Sequence, residues 1–412
     1  MKELQEIIQV WKQLQQQQTA ALATLVKVEG SAYRRPGARM LITSDGQQIG
    51  TISGGCLESD VKERSLDVLK TGIPTLVKYD TTSEEDMIWG LGLGCQGVAY
   101  ILIERLNRDS DVLALIDKCI STRQTGALAT VFKVEETNTV IKGDRILLYP
   151  NGSIISRISN SELEDKIKQD LQSVLQLKKS RSPCYVLSEG TVEVFLEVIQ
   201  PPISLTIFGA GFDVLPVVHF AKELGWYVTV IDPLARPMTK DRFRECDSLI
   251  LGFPNETEVK LFERQTVTVV MSHNYLYDLE FLQTLTTIPL KYLGILGPKK
   301  RTNRLLQDLH TEGFALKPES GLYSPIGLDI GANNPEAIAL SIIAEIQAVT
   351  QNRNGEFLRN RNAPIHSDEV NASPVRLGRG TVHKMEVGDG AYKHLRKPQM
   401  SAPPLDQSPL QK

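Results

Sequence analysis

The sequence predicts an α/β protein: a duplicated α+β N-terminal domain, then a parallel-sheet domain, then a disordered tail. Three observations predict this fold class. A segment of the first half recurs at an offset of 106 residues, a glycine turn joins an apolar strand to an amphipathic helix in the second half, and the apolar periodicity stops near residue 350. The two halves are therefore expected to fold differently.

Length and charge limit the class of protein. The chain has 412 residues, which suggests two or three domains at about 150 residues each. With 46 Lys and Arg against 49 Asp and Glu, the formal net charge is −3, so no overall positive field favours nucleic acid or an anionic membrane. Hydrophobic residues make up 41% and charged residues 23%, a balance with which most of the chain can bury a core.

The cysteines and the apolar runs predict a soluble, cytoplasmic protein. Five cysteines without a CxxC pair are not typical of a disulfide framework or a structural zinc site. The first 18 residues repeat apolar side chains on one helical face, which predicts an amphipathic helix packed on its own domain rather than a signal peptide. No stretch reaches the ~20 apolar residues of a membrane span.

An internal repeat organises residues 1–200, the predicted N-terminal domain. Residues 19–29 return as residues 125–135 with eight of eleven positions identical, and a deletion of twelve residues then aligns Val98 with Val192. Apolar runs broken by Asp-Gly or Asn-Gly predict, in each copy, two strands, a tight turn, a polar segment, a helix and a strand. We expect the copies, about 15–106 and 121–200, to pack as a pseudo-symmetric pair.

The differences between the copies point to a functional site in the first. Copy one has two glycines and Cys56 at 54–56 where copy two has Asn-Ser-Glu at 160–162, and Cys95 aligns with Glu189. A purely structural role would predict that the second copy keeps these residues. Copy one is therefore expected to be the functional half, although neutral drift of a duplicate gives the same pattern.

Cys56 and Cys95 are candidate ligands because glycines flank both. Glycines allow backbone N–H groups to approach a sulfur atom, which would lower the thiol pKa and favour a thiolate able to bind a soft metal or carry sulfur. Arg34, Arg35 and Arg39 follow in a Gly-, Ser- and Pro-rich segment and can present guanidinium groups to phosphate or carboxylate. The alternative is that both cysteines are core residues. The remaining cysteines, which we expect to be structural, are Cys119, Cys184 and Cys246.

The second half alternates strands and helices over about residues 203–350, which predicts a Rossmann-like parallel sheet. Its last helix is expected to begin with Asn333 or Asn334 as the cap and Pro335 early in the first turn. Residues 351–412 are polar, with scattered Pro, Gly and Ser, and are predicted to be a mostly disordered tail.

The turn from Gly209 to Gly211 is a candidate phosphate site. Backbone amides at the helix start could contact a phosphate, and Asp232, 21 residues after Gly211, could accept from a ribose hydroxyl. Val214 stands where the third small residue of GxGxxG belongs. Two interpretations stay open: a dinucleotide such as NAD(P) binds here, or the glycines serve only the turn.

Three other segments are expected at the same sheet edge if the sheet is doubly wound. His273 ends a strand, as a ligand-binding or a structural imidazole. Lys299, Lys300 and Arg301 follow a glycine at a helix start, either as a cradle for an oxyanion or as a solvated helix end. Asp329, before the last helix, could hold a ligand hydroxyl or an arginine.

These motifs together resemble the XdhC/CoxI family of xanthine dehydrogenase accessory proteins. The N-terminal pattern is GS-x-x-R-x-x-G and GGC-x-E, here at 30–37 and 54–58, with a second glycine-cysteine motif at 94–97. The C-terminal pattern combines GAG, a strand ending in Asp, S-H-N, YLGxLG and PIGLDIGAxxPE, in this order between 209 and 346. Phe212, Gln96 and Pro298 stand where His, Gly and Ser are common in the family.

The resemblance implies a cofactor chaperone rather than an enzyme. Such a protein binds molybdenum cofactor, the molybdopterin-bound metal, and protects it while a cysteine desulfurase helps to make its sulfurated form. It then inserts the cofactor into an apo molybdenum hydroxylase of the xanthine dehydrogenase type. The resemblance implies that Cys56 and Cys95 face the metal or its sulfur, and that the C-terminal glycines and cations face the pterin phosphate. The candidate cofactor-binding residues are Arg34, Gly54, Gly55, Cys56, Glu58, Gly94, Cys95, Gln96, Gly97, Gly209, Gly211, Asp232, His273, Lys299, Lys300, Arg301 and Asp329.

Two other functions are compatible with the sequence. An NAD(P)-dependent oxidoreductase would use the parallel-sheet half, and a pure assembly scaffold would bind partner proteins without a small molecule. The family resemblance implies a homo-oligomer, expected to be a dimer, and an open sheet edge would allow two copies to pair in several ways.

Overall fold

The structure is a computed structural model of the chain. It describes residues 1–15, 18–81, 97–255, 258, 266–286, 288, 290–316, 320–362 and 365. Gly94, Cys95, Gln96 and all of the predicted tail beyond Ile365 lie outside the described residues. The predicted α/β fold class is confirmed, with antiparallel sheets in the first half and a parallel sheet in the second.

The first copy of the repeat forms a five-stranded antiparallel sheet. Its elements are α1 (Lys2–Gln13), β1 (Ala20–Gly30), β2 (Arg39–Thr43), β3 (Gln48–Gly50), α2 (Glu58–Thr71), β4 (Thr75–Asp80) and β5 (Gly97–Leu106). The strand order is β3-β2-β1-β5-β4. Successive side chains of β1 point to opposite faces: Ala21 and Leu25 pack in the core under α2, whereas Leu22 and Val26 face the second copy.

The second copy repeats this topology. Its elements are α3 (Asp111–Thr122), which links the copies, and β6 (Gly126–Glu135), β7 (Arg145–Leu148), β8 (Ile154–Ser156), α4 (Ser161–Leu177), β9 (Cys184–Leu187) and β10 (Gly190–Ile199). The strand order is β8-β7-β6-β10-β9. Strand for strand, this is the order of the first sheet, as the predicted duplication requires.

The strand register corrects the sequence alignment of the last strand in each copy. Val98 in β5 pairs with Glu29, and Thr191 in β10 pairs with Glu135. Glu29 and Glu135 are equivalent at the offset of 106, so equivalent residues in β5 and β10 differ by 93. The alignment of Val98 with a residue 94 positions later is therefore wrong by one residue.

Two ion pairs related by the pseudo-symmetry join the sheets. Arg39 pairs with Glu197, and their side chains are only 3% and 8% exposed; Arg145 pairs with Glu104 in the equivalent arrangement. An apolar cluster made of two equivalent pairs of side chains lies between the sheets. Its buried members are Val26, Leu102, Phe132 and Phe195. The copies thus pack face to face, each contributing the same positions.

The second half forms a parallel sheet. Its elements are β11 (Ser204–Phe208), α5 (Val214–Glu223), β12 (Tyr227–Asp232), α6 (Thr239–Arg242), β13 (Ser248–Leu251), β14 (Thr266–Val270), α7 (Tyr275–Leu285), β15 (Tyr292–Ile295), α8 (Lys299–Thr311), β16 (Leu322–Tyr323), α9 (Pro335–Thr350) and a 3₁₀ turn (Leu358–Asn360). The strand order is β13-β12-β11-β14-β15-β16, so the order reverses between β11 and β14, the topological switch point of a doubly wound sheet. As predicted, Asn334 caps α9: its Oδ1 accepts from the Ala337 N–H at 2.8 Å.

The helix α1 contacts both halves. Its buried residues, Ile7, Ile8 and Trp11, pack in a core that the two antiparallel sheets share. Its first turn reaches the parallel-sheet half, where Lys2 Nζ lies 2.8 Å from a Glu223 carboxylate oxygen and Gln5 Nε2 donates to the Gly225 carbonyl at 3.2 Å. Since these partners precede β12, the contact lies at the amino edge of the parallel strands.

None of the helices in the described residues combines the length and the apolar character needed to cross a membrane.

Candidate functional site

Glu58 holds the loop that carries the Gly-Gly-Cys motif. Its carboxylate accepts hydrogen bonds from the N–H groups of Ile52, Ser53 and Leu57 at 2.8–3.2 Å, and from the Ser53 hydroxyl. Burial would raise the pKa of Glu58, but these hydrogen bonds stabilise the charged form and hold the pKa below its usual value. Glu58, predicted to bind the cofactor, is therefore committed to shaping the loop.

Cys56 is exposed at the end of this loop. Its Sγ lies 3.5 Å from Ser53 Oγ. The backbone N–H groups expected to face the sulfur bond instead to Glu58 and Ser53; for example, the Gly55 N–H donates to Ser53 Oγ at 3.2 Å. The loop thus presents a thiol to the outside without enclosing it in amides.

The Gly-Gly-Cys sequence also shortens the following helix. In copy one, α2 begins at Glu58. In copy two, α4 begins at Ser161, the equivalent of Gly55, with Asn160 as its side-chain cap. Cys56 consequently precedes the first helical turn, while the equivalent residue of copy two lies within it.

Arg34 lines a cavity of about 390 Å³ but is already paired. The lining includes Glu3, Leu4, Ile7, Tyr33, Arg34 and Arg35. Arg34 donates to the Glu3 carboxylate at 3.0 and 2.5 Å and to Thr51 Oγ1 at 2.7 Å, and the hydrogen bond from Arg34 holds the pKa of Glu3 below its usual value. Arg35 is exposed and has no ion-pair partner in the part of the chain that the structure describes. Arg35, rather than the predicted Arg34, is the free cation here.

Gly97 has a packing role. A Cβ at this position would lie 2.3 Å from the Ser31 carbonyl oxygen, and at the equivalent Gly190 it would lie 2.1 Å from the Glu135 carbonyl oxygen. Both copies therefore keep glycine because two backbones approach closely. Equivalent residues of β5 and β10 differ by 93 positions. If this offset is continued to the residues before Gly97, Cys95 aligns with Ser188 and not with Glu189.

The predicted second ligand, Cys95, lies with Gly94 and Gln96 outside the described residues, so its role stays a prediction. No group of three His, Cys, Asp or Glu side chains within the described ranges could hold a metal ion. Any metal at Cys56 would therefore need donors from the cofactor itself or from residues such as Cys95.

The glycine turn after β11 is occupied by a carboxylate. Gly209 has φ 131°, and a Cβ there would lie 2.5 Å from the Met271 carbonyl oxygen, so the turn requires glycine. At Gly211 a Cβ would lie 2.4 Å from Asp213 Oδ1. Asp213 Oδ2 also lies 2.7 Å from His273 Nε2. A phosphate at this turn would meet a negative charge, which favours the interpretation that these glycines serve the turn.

Asp232, the predicted ribose acceptor, is fully buried. Its carboxylate accepts from the Leu234 N–H, from the backbone and guanidinium of Arg236, and from the Thr239 hydroxyl, at 2.5–3.2 Å. Burial opposes the charge, yet the hydrogen bonds hold the pKa of Asp232 below its usual value. Both Asp232 oxygens are thus engaged within the turn, which argues against a role as ribose acceptor, and that role stays a prediction.

The other predicted residues at the carboxyl edge differ in availability. Arg301 is bound internally, because its Nη2 donates to the buried Asp278 at 2.7 Å. His273 has φ 60°, a left-handed backbone conformation that few non-glycine residues adopt, and is exposed beside Asp213. The exposed residues without an ion-pair partner in the described ranges are Lys299, Lys300 and Asp329.

The two candidate regions lie at opposite ends of the parallel strands. Arg34 contacts Glu3, and the neighbouring Lys2 contacts Glu223 at the amino edge. His273 lies at the carboxyl edge. The six residues of β12 separate these edges by about 17 Å at 3.3 Å per residue. One chain therefore does not place both regions around one small ligand.

Comparison with known proteins gives consistent matches. Residues 13–80 match the XdhC and CoxI family, and residues 205–346 match the XdhC Rossmann domain. The chain is 35% identical over 339 residues to a Bacillus subtilis strain 168 protein described as a probable subunit of xanthine dehydrogenase, covering 81% of this chain and 94% of that protein. It is 21% identical over 330 residues to the molybdenum cofactor insertion chaperone PaoD of Escherichia coli K12, covering 80% and 83%. A crystal structure of a xanthine dehydrogenase from Bacillus halodurans matches with a TM-score of 0.66 and 30% identity, covering 86% of this chain and 97% of that one.

Proposed function

The chain belongs to the XdhC and CoxI family, and from this membership we propose that it binds molybdenum cofactor during the maturation of a molybdenum hydroxylase. The names of its relatives, a molybdenum cofactor insertion chaperone and a probable subunit of xanthine dehydrogenase, support this role. In the full proposal, the protein protects the cofactor while a cysteine desulfurase supplies sulfur. It then inserts the cofactor into an apo-hydroxylase of the xanthine dehydrogenase type.

The observation that carries the proposal is the exposed Cys56 thiol at the end of a fixed loop. A thiolate is a soft ligand and suits a transition metal that is already bound through sulfur. Glu58 and Ser53 hold the backbone around it, so little loop ordering is needed when the ligand binds. The bound cofactor would supply the reactive metal centre for the client, and Cys56 would hold the metal or its sulfur ligand. Cys95 is the proposed second ligand.

Cofactor uptake tests this function. Purified protein is incubated with molybdenum cofactor released from a molybdenum hydroxylase, passed through a desalting column, and assayed for molybdenum by elemental analysis and for pterin by fluorescence after oxidation. We expect about one cofactor per chain for the wild type and at least a tenfold loss for Cys56→Ser. Cys184→Ser, which changes an exposed cysteine of copy two, is the matched control and should retain uptake.

Two results would contradict the proposal. Wild-type protein that retains neither molybdenum nor pterin would reject cofactor binding. Undiminished uptake by Cys56→Ser would show that Cys56 does not bind the cofactor. Dinucleotide binding is not proposed, because the internal hydrogen bonds of Asp232 and the Asp213 carboxylate oppose it.

A further inference from the structure

Tyr33, in the loop between β1 and β2, has a large aromatic side chain that is 66% exposed to solvent. The backbone that follows it is anchored at two points. The next residue, Arg34, pairs with Glu3 and Thr51, and the Gly37 N–H donates to the Leu25 carbonyl at 2.8 Å. The ring is therefore presented on a fixed segment and is not carried by a free chain end. Tyrosine combines an apolar ring with a polar hydroxyl and is enriched at binding interfaces.

The ring lies over Gly54, next to the Cys56 loop. A Cβ at Gly54 would lie 3.6–3.7 Å from atoms of the Tyr33 ring, an ordinary contact distance, and at Gly55 it would meet no atom within 4 Å. Gly54 also has no positive φ. The fold itself therefore does not require a glycine at position 54, and the Tyr33 ring covers this position at contact distance.

The equivalent position in copy two has a different contact. The equivalents of Tyr33 and Gly54, at the offset of 106, are Thr139 and Asn160. Asn160 Nδ2 lies 3.4 Å from Thr139 Oγ1, so copy two has a contact between two small polar side chains where copy one has an aromatic ring over a glycine. The exposed ring is thus a property of the copy that carries the cysteine motif.

Tyr33 also lines the cavity of about 390 Å³, a volume within the range of small-molecule sites. Arg35 also lines this cavity, and no described carboxylate pairs with it. Cys56 and Arg35 therefore belong to the two segments that meet at the ring: Cys56 follows Gly54 by two residues, and Arg35 follows Tyr33 by two. A thiol, an aromatic ring and a guanidinium suit a ligand that combines a metal, a flat heterocycle and a phosphate.

We propose that Tyr33 is the platform on which the pterin ring of the cofactor stacks, with Arg35 facing its phosphate. This inference rests on the proposed function and adds residues that the glycine and cysteine motifs do not contain. It places the whole cofactor on copy one, away from the parallel-sheet edge. Stacking of a nucleobase-like ring on an aromatic side chain contributes about tenfold or more to affinity.

Two probes separate this inference from the proposed function: the complete molybdenum cofactor, and an oxidised, metal-free pterin phosphate derived from it. Binding is followed by the change in pterin fluorescence. We expect Tyr33→Leu to weaken both probes at least tenfold and Tyr33→Phe, which keeps the ring, to bind both like the wild type. Cys56→Ser should weaken only the complete cofactor. Arg35→Gln should weaken the pterin phosphate but not its dephosphorylated form.

Gly54→Asn provides a second variant that does not depend on Tyr33. It introduces the copy-two residue beside the Tyr33 ring, which must shift to accommodate the longer side chain, and should reduce binding of both probes without lowering the unfolding temperature. Equal binding of the metal-free pterin by Tyr33→Leu and wild type would overturn the inference, as would wild-type protein that binds the complete cofactor but not the metal-free pterin. Failure of the wild type to bind the complete cofactor would instead reject the proposed function.

Discussion

Glu58 and Asp232 are acidic residues that the sequence predicts at ligand sites, and both turn out to be buried hydrogen-bond acceptors. Each serves the backbone of its own turn: Glu58 accepts from the loop before α2, and Asp232 accepts from the turn after β12. The motif positions were therefore informative about local geometry. They were not informative about which side chain is free to meet a ligand, because a sequence does not show where the N–H groups of a loop point.

The first residue-scale prediction concerns Glu58→Gln. The amide group places N–H donors opposite backbone N–H groups that need acceptors, so at least one buried donor loses its partner. We expect the free energy of unfolding to fall by about 1–3 kcal/mol, measured by urea denaturation at pH 7. Glu63→Gln, an exposed position in the same helix, is the control. A Glu58 variant as stable as this control would show that the carboxylate does not hold the loop.

The same pair of proteins gives a pH prediction. The pKa of Glu58 is lower in the folded than in the unfolded chain, so its contribution to stability is present above the unfolded pKa and is lost as pH falls through the folded pKa. The stability difference between wild type and Glu58→Gln should shrink as pH is lowered below about 4.3. A difference that stays constant between pH 6 and pH 3 would contradict the assigned role of the charge.

At the scale of elements, the packing of the two antiparallel sheets depends on buried charge. We predict that Arg39→Ala lowers the free energy of unfolding by about 3–5 kcal/mol, because Glu197 would remain buried without its partner. The double variant Arg39→Met, Glu197→Leu should recover most of this loss. Urea denaturation measures both. The exposed pair of Lys70 and Asp67 supplies the control: Lys70→Ala should leave the midpoint unchanged.

A second element-scale prediction concerns residues 82–96, which separate β4 from β5. The Thr81 N–H donates to the Gly97 carbonyl at 3.0 Å. The equivalent residues of copy two, Leu187 and Gly190, face each other across a two-residue turn. Replacing 82–96 with Ser-Glu should therefore preserve the sheet, with a change in unfolding temperature below about 4 °C. Cofactor uptake should fall because Cys95 is removed; full uptake would exclude Cys95 from the site.

At the scale of the whole molecule, the described contacts of α1 with the parallel-sheet half lie at the amino edge of its strands. The carboxyl edge, with His273, Lys299 and Lys300, lies at the opposite end of these strands. If copy one alone holds the cofactor, changes at the carboxyl edge of the parallel sheet do not alter cofactor affinity. The carboxyl edge would then be available for another role in the same protein.

This independence predicts the behaviour of the double variant Lys299→Ala, Lys300→Ala. Both lysines are exposed and without described ion-pair partners, so folding should be unaffected. Cofactor affinity, measured by the fluorescence assay at about 0.15 M salt, should stay within about twofold of the wild type, because charges farther apart than the Debye length of about 8 Å are largely screened. A tenfold loss would mean that the carboxyl edge reaches the cofactor, as it would if a second copy of the chain completed the site.

By itself, the sequence determined the fold class, the repeat with its offset of 106, the doubly wound half and the cap of α9 by Asn334, and the family resemblance followed from its motifs. These features are local or periodic, and hydrophobic pattern, turn residues and short motifs record them directly.

Only the tertiary structure decided which of the motif residues are free to contact a ligand. Burial and internal hydrogen bonds engage the side chains of Glu58, Asp232 and Arg301. The close approach of two backbones explains why position 97 is glycine. The sequence does not predict the contact between the Tyr33 ring and Gly54, because the two residues are 21 positions apart. The one signal that could have revealed it was the pair of differences from copy two at the same offset. Contacts between distant segments depend on how elements pack, and a single sequence carries no direct record of that packing.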